Sequence, residues 1–144
     1  GAIPRLLDIG VLPDIMAGNI IGVVAQRLVR RLCPHCKTPY QAEAHETRLL
    51  CGDPDTPRPV IFRACGCERC DFQGYRGRLA IMEILRMNAD LDELIARRST
   101  GREIRHLADR QGFIPLADDG LRRVLDGSTS LEELARVVDL TDRM

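Results

Sequence analysis

The segments CPHC, residues Cys33 to Cys36, and CERC, residues Cys67 to Cys70, decide how this 144-residue chain folds. Each segment holds two thiols separated by two residues, and two such pairs are typical of a tetrahedral zinc site with four thiolate ligands. Each pair can form a tight turn whose sulfurs face one ion, and the ion then closes the loop between the pairs. The sequence therefore predicts a structural Zn site with four ligands: Cys33, Cys36, Cys67 and Cys70.

Other interpretations of the cysteines stay open. Disulfide bonds would need an oxidising compartment, and the N-terminal residues do not resemble a secretory signal. Cys65 could replace Cys67, because CGCERC offers three thiols for two positions, whereas Cys51 is expected to be a bystander. His35 and His45 could each replace a cysteine, although solvent-facing positions are expected for both. A redox role for CPHC is a further alternative, since such motifs lower the pKa of a thiol.

The composition gives a neutral chain with 29% charged residues and no apolar run near the roughly 20 residues of a membrane span. Basic residues gather beside the first cysteine pair: Arg27, Arg30, Arg31 and Lys37. A zinc ribbon that binds nucleic acid is therefore the alternative function. Aromatic residues make up only 3% of the chain, however, and tryptophan is absent. No platform for base stacking is expected, so nucleic acid is not the preferred partner.

Three zones follow one another along the chain. In residues 1–32, Pro13 suits the first turn of a helix that reaches Ile20. The alternation from Val23 to Leu32 favours a strand, with a continued helix as the rival interpretation. Residues 33–75 contain all six cysteines and most of the prolines, so little regular structure is expected there. Residues 76–86 predict a returning strand that is buried on both faces.

The zinc segment, residues 33–75, is then an insertion at the tip of a hairpin. Such a segment buries too little apolar surface to fold unaided, so its folding is expected to depend on the metal. We expect chelation to disorder residues 33–75 first and to leave the terminal helices largely folded.

Residues 87–144 have the pattern of a helical domain. Four amphipathic stretches are predicted: Leu91–Arg98, Gly101–Gln111, Leu116–Leu125 and Leu131–Val138. Two capping-box pairs and two glycines mark their starts and stops: Asp90 with Glu93, Ser130 with Glu133, Gly112 and Gly127. The apolar positions are spaced to face one shared core, which indicates a helical bundle. The predicted fold class is α+β, with a β-hairpin, an inserted tetracysteine zinc ribbon and this C-terminal bundle.

Three segments carry a family resemblance: VAQRLVRRLCPHC at residues 24–36, GCERCDFQGYRGRLAIMEIL at residues 66–85 and SLEELARV at residues 130–137. Together they resemble the C-terminal part of the type II secretion and type IV pilus assembly ATPases, the E-type traffic ATPases. The resemblance implies that residues 1–32 are the edge of a RecA-like ATPase domain and that residues 33–75 are the zinc subdomain. Residues 76–86 would then be the returning strand and residues 87–144 the last helical domain.

The resemblance also implies partners. Family members are ring-forming cytoplasmic ATPases, usually hexamers, that are bound to an inner-membrane platform. Neighbouring subunits and platform proteins are therefore the expected partners, and a location peripheral to the inner membrane is expected. Several positions match family motifs for which a structural task is expected: Gln26, Arg27, Tyr75, Gly77 and Arg78.

Nucleotide chemistry is expected to lie elsewhere in the parent protein. The Walker A motif, the acidic boxes and the histidine box of the family lie upstream of the first residue, so ATP and Mg would be bound by the parent alone. The only lysine, Lys37, adjoins Cys36 and follows no glycine-rich turn. We therefore expect no catalytic or nucleotide-binding residue here, and a role in assembly or force coupling.

Overall fold

The computed structural model describes residues 3, 5, 9–10, 19–20 and 22–141. Its elements follow in the order β1 (Gly22–Leu32), β2 (Thr38–Gln41), α1 (Ala44–Cys51), β3 (Val60–Arg63), a 3-10 turn (Glu68–Cys70), β4 (Tyr75–Arg86), α2 (Ala89–Ala96), α3 (Gly101–Arg110), α4 (Leu116–Leu125) and α5 (Leu131–Val137). The α+β class is confirmed. Residues 13–18 of the helix predicted from Pro13 to Ile20 lie outside the described residues.

Strands β1 and β4 pair with each other, which confirms a strand at Val23–Leu32. The Cys33 amide donates to the Gly74 carbonyl at one end, and Gly22 lies beside the Leu85 carbonyl at the other, so the strands are antiparallel. The expected burial of both faces of β4 is wrong. Its core-facing side chains, such as Ile81, are buried, whereas Met82 is 39% and Ile84 51% exposed. An antiparallel pair of strands permits this alternation of buried and exposed side chains, with one face exposed to solvent.

The zinc segment contains more regular structure than its composition predicts. Strands β2 and β3 pair antiparallel, with Tyr40 opposite Ile61. Helix α1 follows β2 and begins with a capping box between Glu43 and Glu46. The expectation of little regular structure is therefore wrong, because a short hairpin and one capped helix need few residues and tolerate flanking prolines.

One compact unit comprises residues 26–82 and 115–144. Its core combines residues of β1, β4, the zinc segment, the last two helices and the segment that follows α5: Val29, Ala42, Ile61, Leu79, Ile81, Ala117, Leu121, Val124, Leu134 and Leu140. Ala42 and Ile61 are wholly buried in it. The expectation that the zinc segment buries little apolar surface is therefore wrong. The segment shares its apolar core with α4 and α5.

The other compact unit comprises residues 1–25 and 83–114. Among its described residues, the core is formed by Ile3, Leu91, Ile95 and Ile104. Helices α2 and α3 thus pack around one core and α4 and α5 around another. The single shared core predicted for the four terminal helices is wrong, since amphipathic spacing states which face of a helix is buried but not against what.

The helix ends agree only partly with the predicted signals. Asn88 caps the start of helix α2, where its side chain accepts a hydrogen bond from the Leu91 amide, so the predicted box of Asp90 with Glu93 is wrong. Ser130 does cap α5 by accepting from the Glu133 amide. The Glu133 carboxylate does not complete that box and instead binds Arg30. No described helix is long and apolar enough to cross a membrane.

Candidate metal centre

The thiols of Cys33, Cys36, Cys67 and Cys70 form one cluster, with all four sulfurs within 4.8 Å of one another. The Cys33 and Cys67 sulfurs are 3.8 Å apart, as are those of Cys36 and Cys70 and those of Cys67 and Cys70. Cys33 and Cys70 are buried, and the other two are half-buried. The four positions predicted as ligands are therefore brought together by the fold.

The first pair follows directly from strand β1. A backbone hydrogen bond from the Cys33 amide to the Gly74 carbonyl joins this pair to the end of the second one, at 3.0 Å. The Lys37 amide returns to the Cys33 carbonyl at 3.0 Å and closes the first turn. The sheet pairing of β1 with β4 thus fixes the distance between the two cysteine pairs.

In the second pair, Cys67 directly precedes the 3-10 turn Glu68–Cys70 and Cys70 ends it. The Phe72 amide donates to the Cys67 carbonyl at 2.8 Å, which folds the chain back over the turn. Asp71 and Phe72 both have positive φ, 54° and 61°. Non-glycine residues rarely adopt this conformation, so the turn keeps its shape at a cost in backbone strain.

Backbone amides point at the sulfurs. Gly66 donates to Cys36 Sγ at 3.3 Å, and the amides of Cys67 and Gly74 donate to Cys70 Sγ at 3.3 and 3.2 Å. Burial raises the pKa of Cys70, but hydrogen bonds from the Cys67 and Gly74 amides and from the neighbouring thiols together outweigh it and lower that pKa to about 6. Burial raises the pKa of Cys36 to about 12, although the Gly66 amide acts against it. Amide donors of this kind stabilise the thiolate form that a metal requires.

The spacing of the sulfurs fits a tetrahedral ion. Zinc–sulfur bonds of about 2.3 Å imply sulfur–sulfur edges about 1.6 times longer, close to 3.8 Å. Three separations of 3.8 Å match this edge. A disulfide would require about 2.05 Å, and all six cysteines are unpaired thiols. The donor set is compatible with a metal site, with Cys51 and Cys65 exposed and outside the cluster.

The two candidate histidines lie elsewhere. Exposed His35 contacts Arg69 of the other cysteine pair at 3.2 Å. His45 lies 3.5 Å from the Glu43 carboxylate on the surface of α1, beside Glu46. Neither histidine belongs to the four-sulfur cluster, in agreement with the solvent-facing positions expected for them.

The sequence interpretation missed the two glycines that supply amides to the sulfurs. A Cβ on Gly66 would lie 2.9 Å from the Phe72 carbonyl oxygen, and one on Gly74 would lie 2.6 Å from the Ala64 Cβ. Both residues have positive φ. The sequence does contain a pattern that points to them: one glycine directly precedes Cys67, and another follows Cys70 by four residues.

The cysteine pairs are tied to the last helices by polar contacts. Lys37 Nζ donates to the Gly127 carbonyl at 3.1 Å and lies 4.6 Å from the centre of the Phe62 ring. The Leu32 amide donates to the Ser128 carbonyl at 2.9 Å. These bonds hold the entry to the first cysteine pair against the loop between α4 and α5.

A buried carboxylate makes a second link. The Glu133 side chain is 3% exposed and accepts from the Arg30 amide at 2.7 Å and from its guanidinium at 2.9 Å. Arg136 donates to the same carboxylate at 2.9 Å. The Tyr75 hydroxyl lies 2.7 Å from Ser130 Oγ, and the Arg30 guanidinium stacks on the Tyr75 ring at 4.2 Å. Strands β1 and β4 are thus fastened to the start of α5.

The other motif positions lie on the two paired strands. Gln26 and Arg27 are exposed on β1, and Gly77 and Arg78 are exposed on β4. Gly77 has a φ of 77°, which favours glycine. Their structural task stays a prediction.

Comparison with known proteins identifies the family of this sequence. The sequence profile of the family described as Type II/IV secretion system protein matches residues 1–136. The chain belongs to the type II secretion and type IV pilus ATPase family. Within that family it is 44% identical over 137 residues to the type II secretion system protein E of Pseudomonas aeruginosa, a match that covers 95% of this chain and 27% of that protein.

Other members of the secretion and pilus ATPase family give similar matches. The type II secretion system ATPase E of Vibrio cholerae is 42% identical, over 95% of this chain and 27% of that protein. The type IV pilus assembly ATPase TfpB of Acinetobacter baylyi is 39% identical, over 97% of this chain and 24% of that protein. The chain spans about a quarter of the length of these curated relatives.

Proposed function

We propose that this chain is the zinc-binding C-terminal part of a motor ATPase that powers protein export or pilin assembly. Its role there is structural, in oligomerisation or in the coupling of force. The observation that carries the proposal is the cluster of four thiols with the sulfur spacing of a tetrahedral ion. Cys33, Cys36, Cys67 and Cys70 are the proposed ligands.

The proposed zinc is a structural ion. Four thiolates fill its coordination shell, so no position is left for a water molecule or a substrate. The ion would act as a crosslink between the two cysteine pairs, at the base of the segment that contains β2, α1 and β3. The amides of Gly66, Cys67 and Gly74 would offset the negative charge of the thiolates.

The proposed domain organisation follows the family. Residues 1–32 are the end of a RecA-like ATPase domain, residues 33–75 the zinc subdomain, residues 76–86 the returning strand and residues 87–144 the C-terminal helical part. ATP and Mg are bound by the parent protein outside this chain. The proposed partners are the neighbouring subunits of a homo-hexamer and the inner-membrane platform, on the cytoplasmic side.

Zinc stoichiometry tests the ligand assignment. Reduced wild-type protein is expected to release one zinc per chain when its thiols are modified, and its X-ray absorption spectrum should fit four sulfur ligands. Cys67→Ser should lose most of the metal, because three thiolates bind zinc far less tightly than four. Cys65→Ser is the matched control, since Cys65 lies two residues away but is exposed and outside the cluster.

Two results would contradict this assignment. A spectrum with two or more nitrogen ligands would require histidines in the site. If Cys65→Ser lost zinc and Cys67→Ser retained it, Cys65 would be the ligand in place of Cys67. Binding of DNA or RNA at micromolar concentration, falling steeply with salt, would instead favour a nucleic-acid-binding ribbon.

A further inference from the structure

Helix α3 presents an unusual charged flank. Ile104 and Ala108 of this helix are buried in the core of their unit. The arginines of its outer side, Arg102, Arg105 and Arg110, are all exposed. A groove of about 560 Å³ runs along this side and is also lined by Leu94 of α2 and by Leu107. We name this surface the arginine groove.

The arginines of this groove differ from several others on the terminal helices. Arg97 at the end of α2, Arg122 and Arg123 of α4, and Arg136 of α5 each hold a carboxylate three or four residues away. Within the described part of the chain, no carboxylate forms an ion pair with Arg102, Arg105 or Arg110. The cationic groups of the arginine groove are thus available to an anionic partner.

The lining of the groove indicates which kind of anion fits. Leu94 and Leu107 are half-buried and offer apolar surface beside the guanidinium groups. Glu103 and Asp109 also line the groove, and they would repel a dense array of phosphates. A peptide can place its carboxylates on the arginines and an apolar side chain on the leucines, away from the two acidic residues.

We propose that the arginine groove binds an acidic segment of a partner protein that also carries leucine-like side chains. Arginine forms short, bidentate hydrogen bonds with carboxylates, which gives such a contact orientation as well as attraction. Exposed charges act mainly on the association rate and its salt dependence. The proposal involves neither the cysteines nor the proposed zinc.

A binding measurement tests the proposal directly. The probe is a short fluorescein-labelled peptide of alternating glutamate and leucine pairs, added to the full zinc-loaded chain and followed by fluorescence anisotropy. Saturable binding that weakens with added salt is expected. The double variant Arg102→Glu with Arg105→Glu should weaken binding by about tenfold or more, because two attractive charges become repulsive. The same peptide with lysine in place of glutamate should not bind.

A matched control distinguishes binding at this groove from a nonspecific effect of the net charge of the protein. The double variant Arg48→Glu with Arg58→Glu makes the same change in net charge at exposed positions of the other unit. It should keep peptide affinity within about twofold. If charge reversal on α3 disturbs folding by circular dichroism, Arg102→Gln with Arg105→Gln serves instead, and a loss of at least about threefold is expected.

Three outcomes would overturn the proposal. The peptide could fail to bind, or bind equally well to the α3 double variant. Alternatively, duplex DNA or phosphatidylglycerol vesicles could bind more tightly than the peptide and depend on the same arginines. That last result would assign the groove to phosphates rather than to an acidic protein segment.

Discussion

Glu133 shows how one side chain fastens the strands beside the cysteine cluster to the last helix. Its carboxylate is nearly inaccessible and receives hydrogen bonds from the backbone and side chain of Arg30 and from Arg136. Removal of this carboxylate would be costly, because its buried donors would lose their hydrogen bonds and could not replace them with bonds to water. The sequence pairs Glu133 only with Ser130, three residues away, and gives no sign of a partner 103 residues away.

Glu133→Ala is expected to lower the free energy of unfolding by about 2–3 kcal/mol, because it leaves the Arg30 amide and guanidinium without their acceptor. Glu132→Ala is the matched control: it is exposed on the same helix and should change stability by less than about 0.5 kcal/mol. Urea denaturation of both variants measures the difference. Equal stability of the two would show that the buried carboxylate contributes nothing net.

The same carboxylate predicts a dependence on pH. Burial raises the pKa of Glu133, but the hydrogen bonds from Arg30 outweigh it and hold that pKa below its ordinary value. A depressed folded-state pKa stabilises the protein above the unfolded value of about 4.3, and this contribution is lost as pH falls through the folded pKa. Wild type should therefore lose stability below about pH 4.3 more steeply than Glu133→Gln. Parallel acid titrations of the two would contradict this.

Gly74 combines a special backbone conformation with a bond to a candidate ligand. Its φ is 83°, a Cβ there would meet Ala64 at 2.6 Å, and its amide donates to Cys70 Sγ. Gly74→Ala should therefore weaken zinc binding and destabilise the fold by about 2–3 kcal/mol. Gly77→Ala is the control, because Gly77 has a similar φ but open space around it. It should cost about 1 kcal/mol and leave zinc affinity unchanged. Competition with a chromogenic chelator measures that affinity.

At the scale of elements, the zinc segment and the last two helices form one packing unit. Ile61 of β3 and Ala42 share a core with Leu121 of α4 and Leu134 of α5. Gly120 of α4 permits a close approach, since a Cβ there would clash with a methyl carbon of Leu134. Elements that share a core tend to open together, whereas α2 and α3 belong to the other core.

Chelation of zinc is therefore expected to expose α4 and α5 to hydrogen exchange together with residues 33–75, while α2 and α3 keep their protection. This expectation replaces the independent opening of the zinc segment suggested by the sequence, because the shared core transmits the loss of the crosslink. Hydrogen exchange with mass spectrometry, before and after chelation, measures it. Retained protection of α4 and α5 would instead favour a separable insertion.

At the scale of the whole molecule, the chain is expected to have no specific ATP site. A phosphate cradle needs a glycine-rich turn followed by a lysine, and the only lysine already contacts Gly127 and Phe62. Calorimetry with MgATP should give no saturable heat. The Vibrio cholerae relative named as an ATPase serves as the positive control. Specific binding by this chain would place nucleotide chemistry within it.

The sequence by itself determined the local features of this protein. The Cys-x-x-Cys pairs identified the four clustered thiols, and the β-branched alternation identified β1. Amphipathic spacing located the four terminal helices within two residues of their observed ends. These properties depend on neighbours in the chain, because turn geometry, strand pleat and helix periodicity are all short-range.

Only the tertiary structure decided which faces meet. In that structure the terminal helices pack around two cores, and the zinc segment packs with α4 and α5. The Glu133 carboxylate accepts from Arg30 and does not cap its own helix. An apolar stripe predicts which face of an element is buried, but many other apolar surfaces could pack against that face equally well. The choice depends on complementary shape and on distant polar groups that must find hydrogen-bond partners once they are buried.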